Sequence, residues 1–401
     1  MAQVQRAMLE RLFFLTIQVG STFAVLLPLG LHWIMNRSWY KEKLPSPAAC
    51  RDEDLPTLFV VIPTWNEENV IEKKLENLCQ QRYPTEKIKI LLIDSASTDK
   101  TVQISKNWSR SNNQKIDFIE MPARLGKSAA INRAISEIDE SEVFVMTDAE
   151  AIIEDGSLRR IGRWMKDPAI GGVCGVINSE SEDSTYRYWY NWFRTGESRA
   201  DSTPIFEGSI AAYRSSALEP IESTANADDS QLAVIVRNKG LRTISDQSIR
   251  FSESPITNQK ELHDRTVRRG QGLTRHFWRN RNKWFRNGRW GTILGLNGLQ
   301  HTSTPWFVLI GILSGLAHAG TVVLVGWFGG EPMVWDRAML LLDAIVLASL
   351  GLGITGLRIP FCTSAVAFLV QNLRLVQGMI LLWTGRNLHR WEQSKSNRQL
   401  S

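Results

Sequence analysis

The chain has 401 residues and a net charge of +6, too long for one small core and sized for one large domain or two. Its four cysteines, Cys50, Cys79, Cys174 and Cys362, stand far apart. They exclude a disulfide framework, show no metal-ligand spacing and fit a reducing compartment for the polar part of the chain. A mean hydropathy of −0.18 reads as soluble, but the average hides an uneven distribution.

Residues 11–35, RLFFLTIQVGSTFAVLLPLGLHWIM, carry no Asp, Glu, Lys or Arg after Arg11. That run is long enough to cross a hydrocarbon core of ~30 Å. It lacks a small-residue cleavage site, which predicts a retained anchor rather than a cleaved signal. Next, 58–64 (LFVVIPT) is a continuous apolar run, the mark of a strand buried on both faces. Over 68–81, Val70, Ile71, Leu75 and Leu78 recur at helical spacing. A second strand is expected over 87–97 and ends in Asp94. A helix over 99–109 follows, preceded by the capping pattern Ser97-Thr98-Asp99. A short strand at 115–121, a helix at 126–138 and a strand from Val143 into VFVMTDAEA complete the run. Strands alternating with helices of this length imply right-handed crossovers and a mostly parallel sheet.

Ligands of such open sheets sit beyond the carboxyl ends of the strands. Here those ends carry Thr64, Asn66 and Glu67, then Asp94, then Asp148 and Glu150. A carboxylate after one strand is ordinary turn chemistry; carboxylates after three strands should converge on one crevice. Two acids at i and i+2 suit Mg²⁺ or a similar hard cation, which is held by one or two carboxylates together with substrate phosphates. Lys127 opens the third helix, where backbone N–H groups already favour anions. No GxxxxGK[ST] loop is present and no GxGxxG follows the first strand, against a P-loop hydrolase and against dinucleotide binding.

In order and interval, VVIPTWNEE, LLIDSASTDKT, RLGKSAAIN and TDAEA, followed by EGSIAAYRSSAL (207–218) and ADDSQLAVIVRNKGLR (227–242), resemble the family 2 glycosyltransferases. The resemblance covers about 57–280. It implies an α/β GT-A fold, a nucleotide-diphospho-sugar transferase domain with a mostly parallel central sheet, flanked here by transmembrane helices. By the same resemblance Thr64, Trp65 and Glu67 line the nucleotide-base pocket, with Trp65 where the family more often has Tyr. Asp94 binds the uracil or ribose side of the donor, and Lys127 lies near the diphosphate. Asp148 and Glu150 stand at the family's Asp-x-Asp metal motif, the second acid one methylene longer and able to act through water. A divalent cation, Mg²⁺ or Mn²⁺, is the implied cofactor, and Asp229 the implied catalytic base. Read from the residues alone, Asp228-Asp229 could equally cap the helix that follows; Asp228 can cap while Asp229 reacts.

The stretch 265–290, RTVRRGQGLTRHFWRNRNKWFRNGRW, is dense in arginine and aromatic residues. A nucleic-acid patch would have this composition. Its place beside an apolar run favours a cytoplasmic membrane-surface segment facing anionic headgroups instead. Processive polysaccharide synthases such as cellulose and hyaluronan synthases carry Gln-x-x-Arg-Trp here. This chain has Arg268-Arg269-Gly270-Gln271-Gly272 and lacks that Trp; Arg268, Arg269 and Gln271 are expected to gate the site on the acceptor side together with Asp228.

Beyond Thr304 the chain turns apolar again: 304–328 is uncharged, 338–357 carries only Asp343, and 359–370 continues into LRLVQGMILLWTG. Basic residues after the first span and before the second predict a cytoplasmic polar domain. Three late spans would put the basic tail outside, against the same rule, so either 371–385 is an interfacial helix or one late segment is re-entrant.

The expected organisation is a transmembrane anchor at 1–36, a cytoplasmic catalytic domain at 50–262 and a basic interfacial segment at 263–303. A transmembrane region of two or three spans at 304–385 and a basic tail at 386–401 follow. The expected function is transfer of a sugar from a nucleotide donor, a UDP-sugar, to a lipid-linked or membrane-proximal saccharide acceptor. Membrane lipids are the expected partners and nucleic acid is not. The alternatives are a processive polysaccharide synthase and a catalytically inactive membrane scaffold or carbohydrate-binding protein.

Overall fold

A computed structural model of the chain describes residues 2–178, 184–286, 288–355 and 359–388. The basic tail from 389 onward therefore lies outside the described residues.

The expected alternation is present. Strands β1 (Leu58–Thr64), β2 (Ile88–Asp94), β3 (Ile116–Glu120) and β4 (Val143–Met146) are separated by helices α2 (Ile71–Cys79), α3 (Thr101–Ser111) and α4 (Lys127–Ile135). All seven residues of β1 and all four of β4 are buried, as their unbroken apolar runs require of strands covered on both faces. The chain continues through β5 (Ile152–Ile153), α5 (Ser157–Trp164), β6 (Ile170–Ile177), α6 (Ser184–Ala200), β7 (Ala211–Arg214), α7 (Asp228–Asn238) and β8 (Arg242–Ser252). One eight-stranded sheet results, in the order β3-β2-β1-β4-β7-β6-β8-β5. Its first half, β3-β2-β1-β4, is wholly parallel, while β7 runs antiparallel to both β4 and β6. Leu75, Leu78, Trp108 and Ile161 cover one face of the sheet and Ile131, Ala134, Leu232 and Val236 the other, giving three layers.

Register levels the strand ends. Thr64 pairs with Asp94, and Val61 with Met146. Two residues past Met146, Asp148 stands at the height of Pro63, so the polar ends of β1, β2 and β4 lie along one edge.

Helices α1 (Ala2–Trp39), α8 (Gln259–Arg279), α9 (Gly288–Thr302), α10 (Thr304–Trp327), α11 (Val334–Ile354) and α12 (Pro360–Trp383) complete the described chain. Four of these helices (α1 from Gln5, α10, α11, and α12 from Phe361) are long and apolar enough to cross a membrane. The first is more than a tether. His32 Nε2 lies 3.1 Å from Glu197 Oε1 of α6, and both side chains are buried. Asn297 of α9 donates to the same oxygen at 2.6 Å, and Asn36 donates to Trp192 O at 3.1 Å. A polar network thus stitches α1 into the sheet domain.

The late helices bear on the unsettled span count. The start of α11 lies far from the sheet, with Asp336 bonded to His318 and Arg11, and its Asp343 accepts from Gln18. It runs back towards the sheet domain alongside α1. The end of α11 meets the start of α12, where Gly353 abuts Cys362 and Val366. The end of α12 meets the first turn of α10, with Trp383 stacked on Trp306 at 5.1 Å. In between, Gly270 of α8 packs on Leu375 and Gly378 of α12 on Val267 and Gln271. Both ends of α12 therefore lie on the sheet-domain side of the bundle.

Candidate active site

A cavity of about 670 Å³ opens at the carboxyl edge of the parallel strands. It is lined by Pro63 at the end of β1 and Glu67 after it, Lys127 at the start of α4, Asp148 and Glu150 after β4, Glu207 and Gly208 before β7, and Asp228 and Asp229 at the start of α7. Arg265, Arg268 and Arg269 of α8 form another wall, and Gln377, Leu381, Asn387 and Leu388, from α12 and its exit, close the far side.

At its centre Lys127 Nζ donates to Asp148 Oδ1 at 2.5 Å and sits 3.6 Å from Asp228 Oδ2. Burial works against the charged form of Lys127, yet Asp148, Asp228 and Asp229 together hold its pKa above the ordinary value. A Cβ built on Gly208 would lie 3.0 Å from Lys127 Nζ and 3.2 Å from Asp229 Oδ2. Glycine lets the ammonium and the carboxylate close on the same point of backbone without either giving way. Asp148 Oδ2 accepts from Ser209 Oγ at 3.2 Å. The single Ser209 hydroxyl proton is shared with Glu253, the nearer acceptor, whose other oxygen accepts from Arg265 at 2.8 Å. Burial opposes ionisation of Glu253, but Arg265 and Arg269 hold its pKa down to about 2.

The Asp228-Asp229 pair rests on a strained turn. Ala227 has φ +60°, the left-handed region that a residue with a Cβ enters at a cost. The turn places both acids in the first turn of α7, where unpaired N–H groups favour negative charge. Asp229 Oδ1 accepts from Ser230 N at 2.6 Å. The Asp229 pKa is pushed up to about 7, first by burial and then by the Asp228 charge, against the pull of Lys127. Asp228 Oδ2 is buried and has no hydrogen-bond donor among the described residues. Both readings of this pair, helix cap and reactive acid, are compatible with that geometry.

Not every expected site residue reaches the cavity. Thr64 and Asp94 are buried beside each other, with Thr64 Oγ1 donating to Asp94 Oδ1 at 3.2 Å. Asp94 Oδ2 accepts from Ser97 N at 2.8 Å, so this carboxylate holds the turn after β2. Trp65 lies beneath the Arg124 guanidinium, 3.3 Å above its ring centroid. These three form a second corner at the ends of β1 and β2, outside the cavity lining. Gln271 is fully buried and turned away from the cavity. Its amide donates to Gly378 O and Arg386 O at 3.2 and 3.0 Å and accepts from Leu388 N at 2.9 Å, fastening the exit of α12 to α8. Arg268 and Arg269 do line the cavity. Burial and the neighbouring Arg265 and Arg269 push the Arg268 pKa down to about 10.

Other residues at the site gave little sign in the sequence. Glu207 and Gly208 belong to the EGSIAAYRSSAL stretch, where a glycine after an acid was a usable signal. Lys74, buried behind the Asp148 turn, reads in sequence as the polar side of a surface helix. Burial drives its pKa down to about 7 against the charges of Asp148, Glu150 and Glu253.

The oxygens of Asp148, Glu150 and Asp228 are hard donors, and the Lys127 ammonium lodged between Asp148 and Asp228 shows that positive charge is held here. Among the described residues no three His, Cys, Asp or Glu side chains converge as a ready metal cage. A Mg²⁺-like ion that completes its shell with phosphate oxygens needs only one or two carboxylates, and the residues present fit that mode.

Residues 59–221 match the family model described as Glycosyl transferase family 2. Among curated proteins, the probable glycosyltransferase YdaM of Bacillus subtilis is 27% identical over 257 residues, 59% of this chain and 56% of that protein. An N-acetylglucosaminyltransferase of Azorhizobium caulinodans is 25% identical over 209 residues, 47% of this chain and 52% of that one. The chain thus spans about half the length of the curated relatives it matches. Among solved structures, the mannosyltransferase PcManGT from Pyrobaculum calidifontis, in complex with GDP-Man and Mn²⁺, superposes with a TM-score of 0.75 at 26% identity. That alignment covers 92% of this chain and 99% of PcManGT.

Proposed function

From a chain whose residues 59–221 form a domain of glycosyl transferase family 2, we propose a membrane-bound, metal-assisted transferase. It moves one sugar from a nucleoside diphosphate donor to an amphiphilic, lipid-linked acceptor. The observation that carries this reading is the meeting of Lys127, Asp148, Asp228 and Asp229 in one cavity whose outer wall is built by α8 and α12.

The residues divide the work as follows. Thr64, Trp65 and Asp94 hold the base and ribose at the edge of β1 and β2, and Glu67 closes that side. Asp148, with Glu150 through water, would hold a Mg²⁺ or Mn²⁺ ion against the donor diphosphate, neutralising it and stabilising the leaving nucleoside diphosphate. Lys127 leaves Asp148 to meet a phosphate oxygen, and Arg268 and Arg269 supply the remaining positive charge. Asp229 takes the proton of the acceptor hydroxyl, which attacks the anomeric carbon from the side opposite the leaving group. A single displacement inverts that centre. Asp228 raises the basicity of Asp229 and orients the acceptor with the oxygen that accepts no hydrogen bond among the described residues.

The acceptor side supports an amphiphile. Val267, Leu273, Leu381 and Leu388 give the cavity an apolar lining on α8, α12 and the exit of α12, and α12, both of whose ends face the sheet domain, suits a helix lying in the membrane interface. With α1, α10 and α11 crossing and α12 lying flat, the catalytic domain and the basic tail share the cytoplasmic side. The positive-inside rule favours that arrangement. The same placement leaves α10 and α11 as the late spans, few for a polymer channel, and so favours single transfer over processive synthesis.

Incubation of the full chain in lipid nanodiscs with radiolabelled UDP- or GDP-sugars, Mn²⁺ and a membrane lipid extract tests this reading. The expected product is label in an organic-extractable lipid. Label in a high-molecular-weight polymer would overturn single transfer.

A further inference from the structure

Lys74 serves none of the roles assigned above. It is fully buried on α2, and its Nζ donates to Thr147 Oγ1 at 2.7 Å and to Ala151 O at 2.6 Å. Those two residues bracket Asp148, Ala149 and Glu150. Thr147 Oγ1 passes the restraint on, donating to Ser209 O at 2.7 Å, and Ser209 Oγ lies 3.2 Å from Asp148 Oδ2. One turn further along α2, Asn77 exchanges two hydrogen bonds of 2.8 Å with the backbone of Ile153. A single face of α2 therefore grips the chain immediately before and after the two acids.

Lys74 can give both hydrogen bonds as an amine or as an ammonium, so the clasp on Thr147 and Ala151 holds at either charge. Burial works against its charge while Asp148, Glu150 and Glu253 favour it, and when protonated it adds a cation behind the two acids of the turn.

We infer that Lys74 is a positioning residue, clasping Thr147 and Ala151 so that Asp148 and Glu150 present their carboxylates jointly to a cation-bound diphosphate. The inference rests on the proposed reading of Asp148 as a ligand of that assembly.

The test is Mn²⁺ binding to the full chain in nanodiscs, read from the electron-paramagnetic-resonance signal of free Mn²⁺ with UDP or GDP present. Groups that orient a metal's own ligands typically matter 10- to 100-fold in affinity. Lys74→Met should therefore raise the apparent Mn²⁺ Kd by at least about tenfold while its melting temperature and near-ultraviolet dichroism report a folded domain. Lys74→Gln, which keeps a donor but not the charge, should fall between Met and wild type. An unchanged Kd in folded Lys74→Met overturns the inference. Should that variant fail to fold, Thr147→Val, nearly matched in volume, removes one half of the clasp. It is expected to weaken Mn²⁺ in the same direction, and an unchanged Kd there is equally fatal. Asp148→Ala separates the two layers. Binding lost there but intact in Lys74→Met removes Lys74 alone, whereas binding intact in Asp148→Ala removes the reading beneath it and the inference with it.

Discussion

Replacing Asp229 by Asn removes the proposed base while leaving shape and hydrogen bonding to Ser230 nearly unchanged. A positioned general base typically contributes 10²–10⁴-fold, so transfer should fall at least ~10²-fold, about 2.7 kcal/mol of barrier, with donor binding retained. The pH dependence is the sharper signature. Asp229 titrates near 7 because of burial first and Asp228 second. The kcat/KM of the wild-type chain, which reports the free enzyme, should then rise roughly tenfold between pH 6 and pH 8 and level off above. Asp228→Asn removes the second cause and should move that limb to lower pH. Stability carries the opposite sign. A carboxyl whose folded pKa is raised contributes stability that is fully present below about 4, its unfolded value, and lost as pH rises through about 7. Asp229→Asn should therefore melt higher than wild type at pH 8, the gain vanishing below about pH 4. The assay is initial-rate kinetics across pH alongside thermal melts without donor or cation. A flat kcat/KM profile between pH 5 and 9, or unchanged turnover in Asp229→Asn, would refute the reasoning.

Three further outcomes are expected. Deleting residues 1–36 takes His32 from Glu197 and Asn36 from the Trp192 carbonyl, and breaking a buried pair typically costs 3–5 kcal/mol. The truncated chain should aggregate or melt well below the full one, and an unaltered melt in detergent would reduce α1 to a tether. Gln271→Leu leaves Gly378 O, Arg386 O and Leu388 N without their partner. Acceptor KM should rise several-fold with donor KM unchanged, which two-substrate kinetics would show. A cysteine placed at Ser394 should react with a membrane-impermeant maleimide from the same side of the membrane as exposed Cys79; labelling from opposite sides would mean that α12 crosses.

Much of this architecture is legible in the sequence, for a physical reason. Strands buried on both faces must be unbroken apolar runs, so 58–64 and 143–146 announce themselves, and the acids that follow them mark the edge where a parallel sheet binds its ligand. Asp148, Glu150, Glu67 and Asp229, singled out this way or by resemblance, line the cavity. What stayed hidden depends on partners distant in sequence. Asp94 is tied to Thr64, Gln271 to the backbone of α12, and His32 to Glu197, each pairing set by tertiary packing rather than by local pattern. Lys74 is the extreme case: a lysine on an amphipathic helix reads as solvated, and only the acids folded over it explain its burial. The late helices illustrate the same limit, since length and apolarity alone do not separate a helix that crosses from one that lies flat.

One crevice is proposed to bind a nucleoside diphosphate through a divalent cation on Asp148 and to pass its sugar on through Asp229. Isothermal titration of the full chain in nanodiscs with UDP and with GDP, each with and without Mn²⁺, addresses it most directly, with Asp148→Ala and Asp229→Asn run in parallel. The account predicts Mn²⁺-dependent binding of one nucleotide by wild type and Asp229→Asn and its loss in Asp148→Ala. Equal affinity with and without the cation, or undiminished binding in Asp148→Ala, would contradict it.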